Sequence, residues 1–148
     1  MEEREEAEKN KALMQRWFDE VWNQGRVESV DALFAEEGIT HGLGEAGVEV
    51  RGPAAFKTFL HRLRGAFPDI HFTVEDALAE GDRVAVRWRA RMTHRGDQLG
   101  LPASGRQAEV TGMSIVRIAD GKIAEGWNNW DMLGLMQQIG EGAAVRLL

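Results

Sequence analysis

The sequence predicts a single α+β domain with its helices first and a run of antiparallel strands after them. Apolar residues recur with a helical period as far as Leu63 and with a period of two from Ile70 onward. The 148 residues suit one domain, which at that size buries roughly 68–70% of the surface its unfolded chain exposes. Helices grouped ahead of strands indicate segregated layers, because a doubly wound sheet would alternate the two.

Leu13, Met14, Trp17, Phe18, Val21 and Trp22 form one broad helical stripe, which Asn23-Gln24-Gly25 ends. A shorter helix covers Glu28 to Phe34, with Val30, Leu33 and Phe34 inward. Gly52-Pro53 begins a third, since proline at the first helical position has no N–H bond to lose. Its buried stripe is Phe56, Phe59, Leu60 and Leu63, and it stops before Gly65 and Pro68. The strands are Ile70 to Ala77, Arg83 to Thr93, Gln107 to Ile118 and Lys122 to Asn129, with Gly96 to Gly105 a loop. Asp120-Gly121 is a tight hairpin turn, because glycine supplies the positive φ such turns demand. Met132 to Ile139 closes as a short helix, with Asp131 placed to cap its free N–H groups. The whole chain, 1–148, reads as one domain; 1–8 is expected as a loose acidic tail and 141–148 as a loosely held C-terminal one.

Composition removes several function classes. Without cysteine there are no disulfides, thiolate zinc sites or cysteine nucleophiles. The acidic N-terminal segment lacks the apolar stretch of a secretory signal and no run approaches eighteen apolar residues, so a soluble, cytoplasmic protein without membrane contact is expected. A net charge of −6 argues against nucleic-acid binding, which depends on neutralising phosphates. Arg87, Arg89 and Arg91 alternate and leave one face of a strand, where carboxylates on neighbouring strands are the expected partners. His61, His71 and His94 lack the spacing of a metal set, and Gly42-Leu43-Gly44 lacks the remainder of a phosphate loop. No metal and no cofactor are expected.

Arg117-Ile118-Ala119-Asp120-Gly121-Lys122-Ile123-Ala124-Glu125, followed by Gly126 to Asp131, resembles the SnoaL-like polyketide cyclases of the NTF2-like superfamily. The likeness covers about Lys9 to Gly140 and implies a cone: a curved sheet wrapped around three N-terminal helices, an apolar pocket and a short C-terminal helix. In the ring-closing cyclases this strand carries His, any residue, then Asp, with a second Asp three further on; aligned without gaps these are Gly126, Asn128 and Asp131. The resemblance gives the first Asp the proton shuttle to and from carbon. Here that pair is glycine and asparagine, and an amide cannot supply the roughly 10² to 10⁴ in rate that general acid–base catalysis contributes.

With Gly126 and Asn128 facing inward, alternation sends Trp127 and Asn129 outward. On the preceding strand the family's polar inward positions fall on Gly112 and Ser114, and Trp88 and Met92 reach the pocket from the arginine strand. The cavity is expected to be apolar, wide near Gly112 and Gly126, and suited to a flat hydrophobic ligand. The remaining catalytic candidates are Asn128, Asp131 and His41. His41 is either a base with a suitable ordinary pKa of about 6.5 or the cap of its own loop. Thr40 beside it is the closer match to a cyclase contact residue.

Three functions remain open: a cofactor-free aldol cyclase for an aromatic or polyketide-like ligand, a binding module that has lost its acid–base pair, and another enzyme on the same fold, of epoxide hydrolase or isomerase type. The third lacks the tyrosine such sites employ, since the chain has none. The resemblance also implies a homodimer through the outer sheet face, which would carry Met113, Ile115 and Trp127.

Overall fold

The computed structural model describes residues 1–44 and 47–140. In order these form α1 (Glu2–Trp17), a π-helical turn (Phe18–Asn23), α2 (Val27–Leu33), β1 (Phe34–His41), β2 (Glu49–Arg51), α3 (Gly52–Ala66), β3 (His71–Glu80), β4 (Arg83–Thr93), β5 (Gln107–Ala119), β6 (Lys122–Trp130) and α4 (Met132–Ile139). The residues expected as a loose N-terminal tail form the first turns of α1, where Glu2, Glu3 and Glu5 complement the positive end of the helix dipole. The C-terminal tail lies outside the described residues.

One curved, unclosed sheet runs β2-β1-β6-β5-β4-β3, with β1 and β6 parallel and every other pair antiparallel. The inner face of β4 is Val84, Val86, Trp88, Ala90 and Met92, all buried, while Arg83, Arg87, Arg89 and Arg91 leave the outer face. Arg87 pairs with Asp76 at 2.7 Å, and Arg89 with Glu75 at 2.9 Å and Glu109 at 3.0 Å. These exposed pairs settle sheet register more than they add stability. Asp120 and Gly121 take φ of 53° and 74°, the positive pair that a two-residue hairpin requires.

Two local irregularities place the cavity wall. On β6 the register slips by one residue opposite Arg117 and Ile118, so Ile123 and Gly126, three apart, both face inward. Strict alternation back from Gly126 would have turned Ile123 out. The second irregularity is the π-helical turn, which the aromatic stripe of the sequence does not announce. Its terminal carbonyls are satisfied by Arg64, whose Nη1 donates to Trp22 O at 2.9 Å and Asn23 O at 3.0 Å. The Asn23 amide then imitates a neighbouring strand: it accepts from Phe72 N at 2.7 Å and donates to Phe72 O at 3.0 Å. This clamp docks the helical layer on β3 and aims Phe18 and Trp22 into the cone.

Aromatic packing joins the two layers. Trp17 lies against Phe34 and Phe56, Trp22 against Phe56 and Phe72, and Phe72 against Trp88, with ring centroids 5.0–5.9 Å apart. Contacts of this kind contribute about 0.5–1.5 kcal/mol each beyond the area they bury. Asp131 caps α4, its Oδ1 accepting from Gly134 N at 2.8 Å. Among the described residues no helix is long and apolar enough to cross a membrane.

Candidate functional site

The interior holds two connected clefts. The outer one, a cavity of about 40 Å³, is walled by Phe59, Leu63, Phe72, Trp88, Met92 and Leu135. The inner one, about 20 Å³, is walled by Met14, Trp17, Phe34, Phe56, Thr40 and Gly126. Phe18, Trp22, Leu43, Ser114 and Asn128 belong to both and form the neck. The space is divided into narrow seams, so a ring-sized ligand enters by displacing aromatic side chains at that neck.

A chain of hydrogen bonds crosses four strands at the neck. Trp88 Nε1 donates to Ser114 Oγ at 3.1 Å, and Ser114 Oγ donates to Asn128 Oδ1 at 2.6 Å. Asn128 Nδ2 donates to Thr40 Oγ1 at 2.9 Å and to the His41 carbonyl at 2.8 Å. Both ends have only one possible polarity: an indole N–H can only donate and a backbone carbonyl can only accept. They therefore fix the Asn128 amide with its nitrogen toward β1 and the direction of every proton between. Both Asn128 hydrogens and the Ser114 proton are committed, and the Thr40 proton, unable to point at Asn128, has no acceptor among the described residues.

Among the described residues, neither cleft is lined by an Asp, Glu, His, Lys or Arg side chain. The site can orient and polarise a ligand by hydrogen bonds but has no group that titrates near neutral pH. No group of His, Asp and Glu among the described residues is arranged to hold a metal ion.

The expected site residues separate into two sets. Thr40, Trp88, Met92, Ser114, Gly126 and Asn128 meet at the clefts. Gly112 faces inward but opens no space: a Cβ there would lie 2.3 Å from Trp88 Cζ2, so the indole already fills the room expected beside it. At Gly126, by contrast, a Cβ would meet Thr40 Oγ1 at 3.4 Å and Val116 Cγ1 at 3.5 Å, ordinary contact distances. His41 lies on the outer face, because Thr40 before it takes the inward position and residues alternate along β1. Its Nε2 is 2.7 Å from Glu125 Oε2, its Nδ1 is 3.4 Å from Glu49 Oε1, and its ring stacks on Trp127 at 5.8 Å. The hydrogen bond with His41, chiefly, holds the Glu125 carboxyl below the usual carboxylate range against the opposing effect of partial burial, with help from Arg117. Asp131 is exposed and occupied with its cap. Of the three catalytic candidates only Asn128 reaches a cleft. Phe18, Trp22 and Leu43, read from the sequence as core and loop, are the neck residues that sequence reasoning missed. Their only signal was the aromatic stripe, which does not separate cavity wall from core.

The profile of the SnoaL-like polyketide cyclases matches residues 12–139. The chain belongs to the SnoaL-like polyketide cyclase family. It is 32% identical to the aklanonic acid methyl ester cyclase DauD of Streptomyces sp. (strain C5) over 123 residues, 82% of this chain and 76% of that one. Among solved structures it is similar to a SnoaL-like protein from Jannaschia sp. CCS1, with TM-score 0.83 and 26% identity over 91% of this chain and 94% of the other. TsrD of Streptomyces laurentii superposes with TM-score 0.78 and 28% identity, covering 89% and 95%.

Proposed function

We propose that this protein binds a flat, apolar, polyketide-like molecule at the neck between the two clefts and orients it without contributing an acid or a base. The observation that carries this reading is the orienting hydrogen-bond chain through Asn128 in clefts lined by no titratable side chain among the described residues. Aromatic walls recognise the ring faces, and the neck supplies the few polar contacts that set orientation.

The likeness to a named methyl ester cyclase favours a second reading, cofactor-free aldol ring closure by positioning alone. Well-oriented intramolecular reactions recover roughly 7–11 kcal/mol. The two readings part in one experiment, product analysis of an anthraquinone-type polyketide methyl ester with wild type and with the Gly126→His/Asn128→Asp double variant. Binding by both proteins with ring closure only in the variant is the expected result. Closure by wild type above the uncatalysed rate would establish the second reading, and no binding by either would remove both.

We propose a second copy of the chain as partner on the outer sheet face. Met113 and Ile115 are 61% and 44% exposed there, beside Trp127, and the flanking Arg87–Asp76 and Arg89–Glu109 rows carry both signs of charge. Trp127→Glu is expected to convert dimer to monomer in sedimentation velocity; an unchanged dimer would place the interface elsewhere.

A further inference from the structure

We infer that the inner cleft is a subsite for one hydrogen-bond-accepting oxygen of the ligand, a ketone, ester carbonyl or phenolate, received by the Thr40 hydroxyl in the space left by Gly126. The inference rests on the ligand reading above and adds to it the chemical class of the group that passes the neck. Thr40 is 5% exposed, and its Oγ1 accepts from Asn128 Nδ2 at 2.9 Å. The polarity of the chain then points the Thr40 proton away from Asn128, and no described residue receives it. A buried donor without an acceptor is a stronger demand than an idle lone pair, because native interiors leave N–H and O–H groups unpaired far more rarely than they leave carbonyl oxygens under-used. The unused lone pairs of Ser114 and Asn128 therefore rank below the Thr40 proton in setting what binds.

Space agrees with this assignment. A Cβ at Gly126 would stand 3.4 Å from Thr40 Oγ1 and 3.8 Å from Thr40 Cβ, ordinary contact distances, so a small group fits against the hydroxyl there without displacing it. The cleft beyond the neck is walled by Trp17, Phe34, Phe56, Val116 and Ile123 and accommodates one small group rather than a ring. The ring system belongs in the outer cleft against Trp88 and Phe72, with its oxygen directed past Asn128.

The test pairs two flat probes, 9,10-anthraquinone and anthracene, titrated into wild type, Thr40→Val and Thr40→Ser by tryptophan fluorescence. It is accompanied by a crystal structure of each ligand-free protein. Thr40→Val is expected to weaken anthraquinone about fivefold to tenfold and anthracene less than about twofold, and Thr40→Ser, which keeps the hydroxyl, to restore the quinone. The ligand-free wild-type crystal is expected to hold an ordered water within about 3 Å of Thr40 Oγ1 in front of Gly126, absent in Thr40→Val. Equal losses for both probes in Thr40→Val, or a dry inner cleft in wild type, would overturn the subsite. If neither probe binds any variant, the flat-ligand reading fails by itself and the water at Thr40 decides the subsite alone.

Discussion

Asn128→Asp is expected to yield a protein whose stability, relative to wild type, falls as the pH rises from about 4 to about 8. The amide nitrogen of Asn128 donates to the His41 carbonyl at 2.8 Å and to Thr40 Oγ1 at 2.9 Å. A carboxylate oxygen in that place faces the carbonyl as acceptor against acceptor. A protonated carboxyl repairs the contact by donating to His41 O, while its other oxygen still accepts from Ser114. The native state therefore favours the protonated form, and the folded pKa rises above the unfolded value of about 3.9. For a group raised in this direction, its stabilising contribution is complete below the unfolded pKa and is lost as the pH climbs through the folded one. Thr40 can turn its proton toward the ionised carboxylate, so the loss is about 2 kcal/mol rather than the full penalty of a buried unpaired charge. Urea unfolding of variant and wild type across this range measures it. A difference that is flat with pH, or that shrinks toward alkaline pH, would mean that the His41 carbonyl does not set the polarity of the network.

Gly112→Ala has the larger structural effect, a destabilisation of about 3 kcal/mol with loss of ligand binding. The new Cβ would stand 2.3 Å from Trp88 Cζ2, 2.7 Å from Trp88 Cε2 and 2.8 Å from Trp130 Cβ. The indole must shift from its seat on the inner face of β4, which strains the 3.1 Å bond to Ser114 that begins the hydrogen-bond chain. Trp88→Phe in the Gly112→Ala background removes the two Trp88 atoms that collide and leaves the 2.8 Å contact with Trp130 Cβ. The double variant is expected to be more stable than Gly112→Ala alone, and the coupling read from the four proteins measures the contact. Additive losses would show that the strand, not the indole, absorbs the added methyl.

Much of this architecture was legible in the chain. β4 and α4 carry the bounds that their apolar period and cap residue indicate, because an eleven-residue alternation and an Asp before an apolar helix are local signals. The inward direction of Gly126, Asn128 and Ser114 came from the resemblance to the cyclases, and alternation then sent Trp127 and Asn129 outward. β2 was not legible: three residues, Glu49–Arg51, have too short a pattern, and they form a strand because β1 offers a partner edge. The π-helical turn was hidden for a related reason. Its residues read as ordinary helix, and the extra residue is held by Arg64 and Phe72, both distant in the chain. The same limit explains His41: the face a residue takes on β1 depends on its register with β6, where His41 meets Trp127 and Thr40 meets Gly126.

The sequence by itself determined the fold class, the order of the four long strands, the family and the identity of positions 126 and 128 as glycine and asparagine. These reside in local periodicity and in residue identity, which need no third dimension. Only the tertiary structure decided that Gly112 seats an indole while a Cβ at Gly126 would meet ordinary contacts, that His41 lies outside the cone, and that the Thr40 proton points away from Asn128. Each of those depends on which side chains from distant strands meet and on the direction of the hydrogen bonds between them. A hydrogen-bond polarity is set by the groups at its ends, here Trp88 and the His41 carbonyl, which come together only when four strands lie side by side.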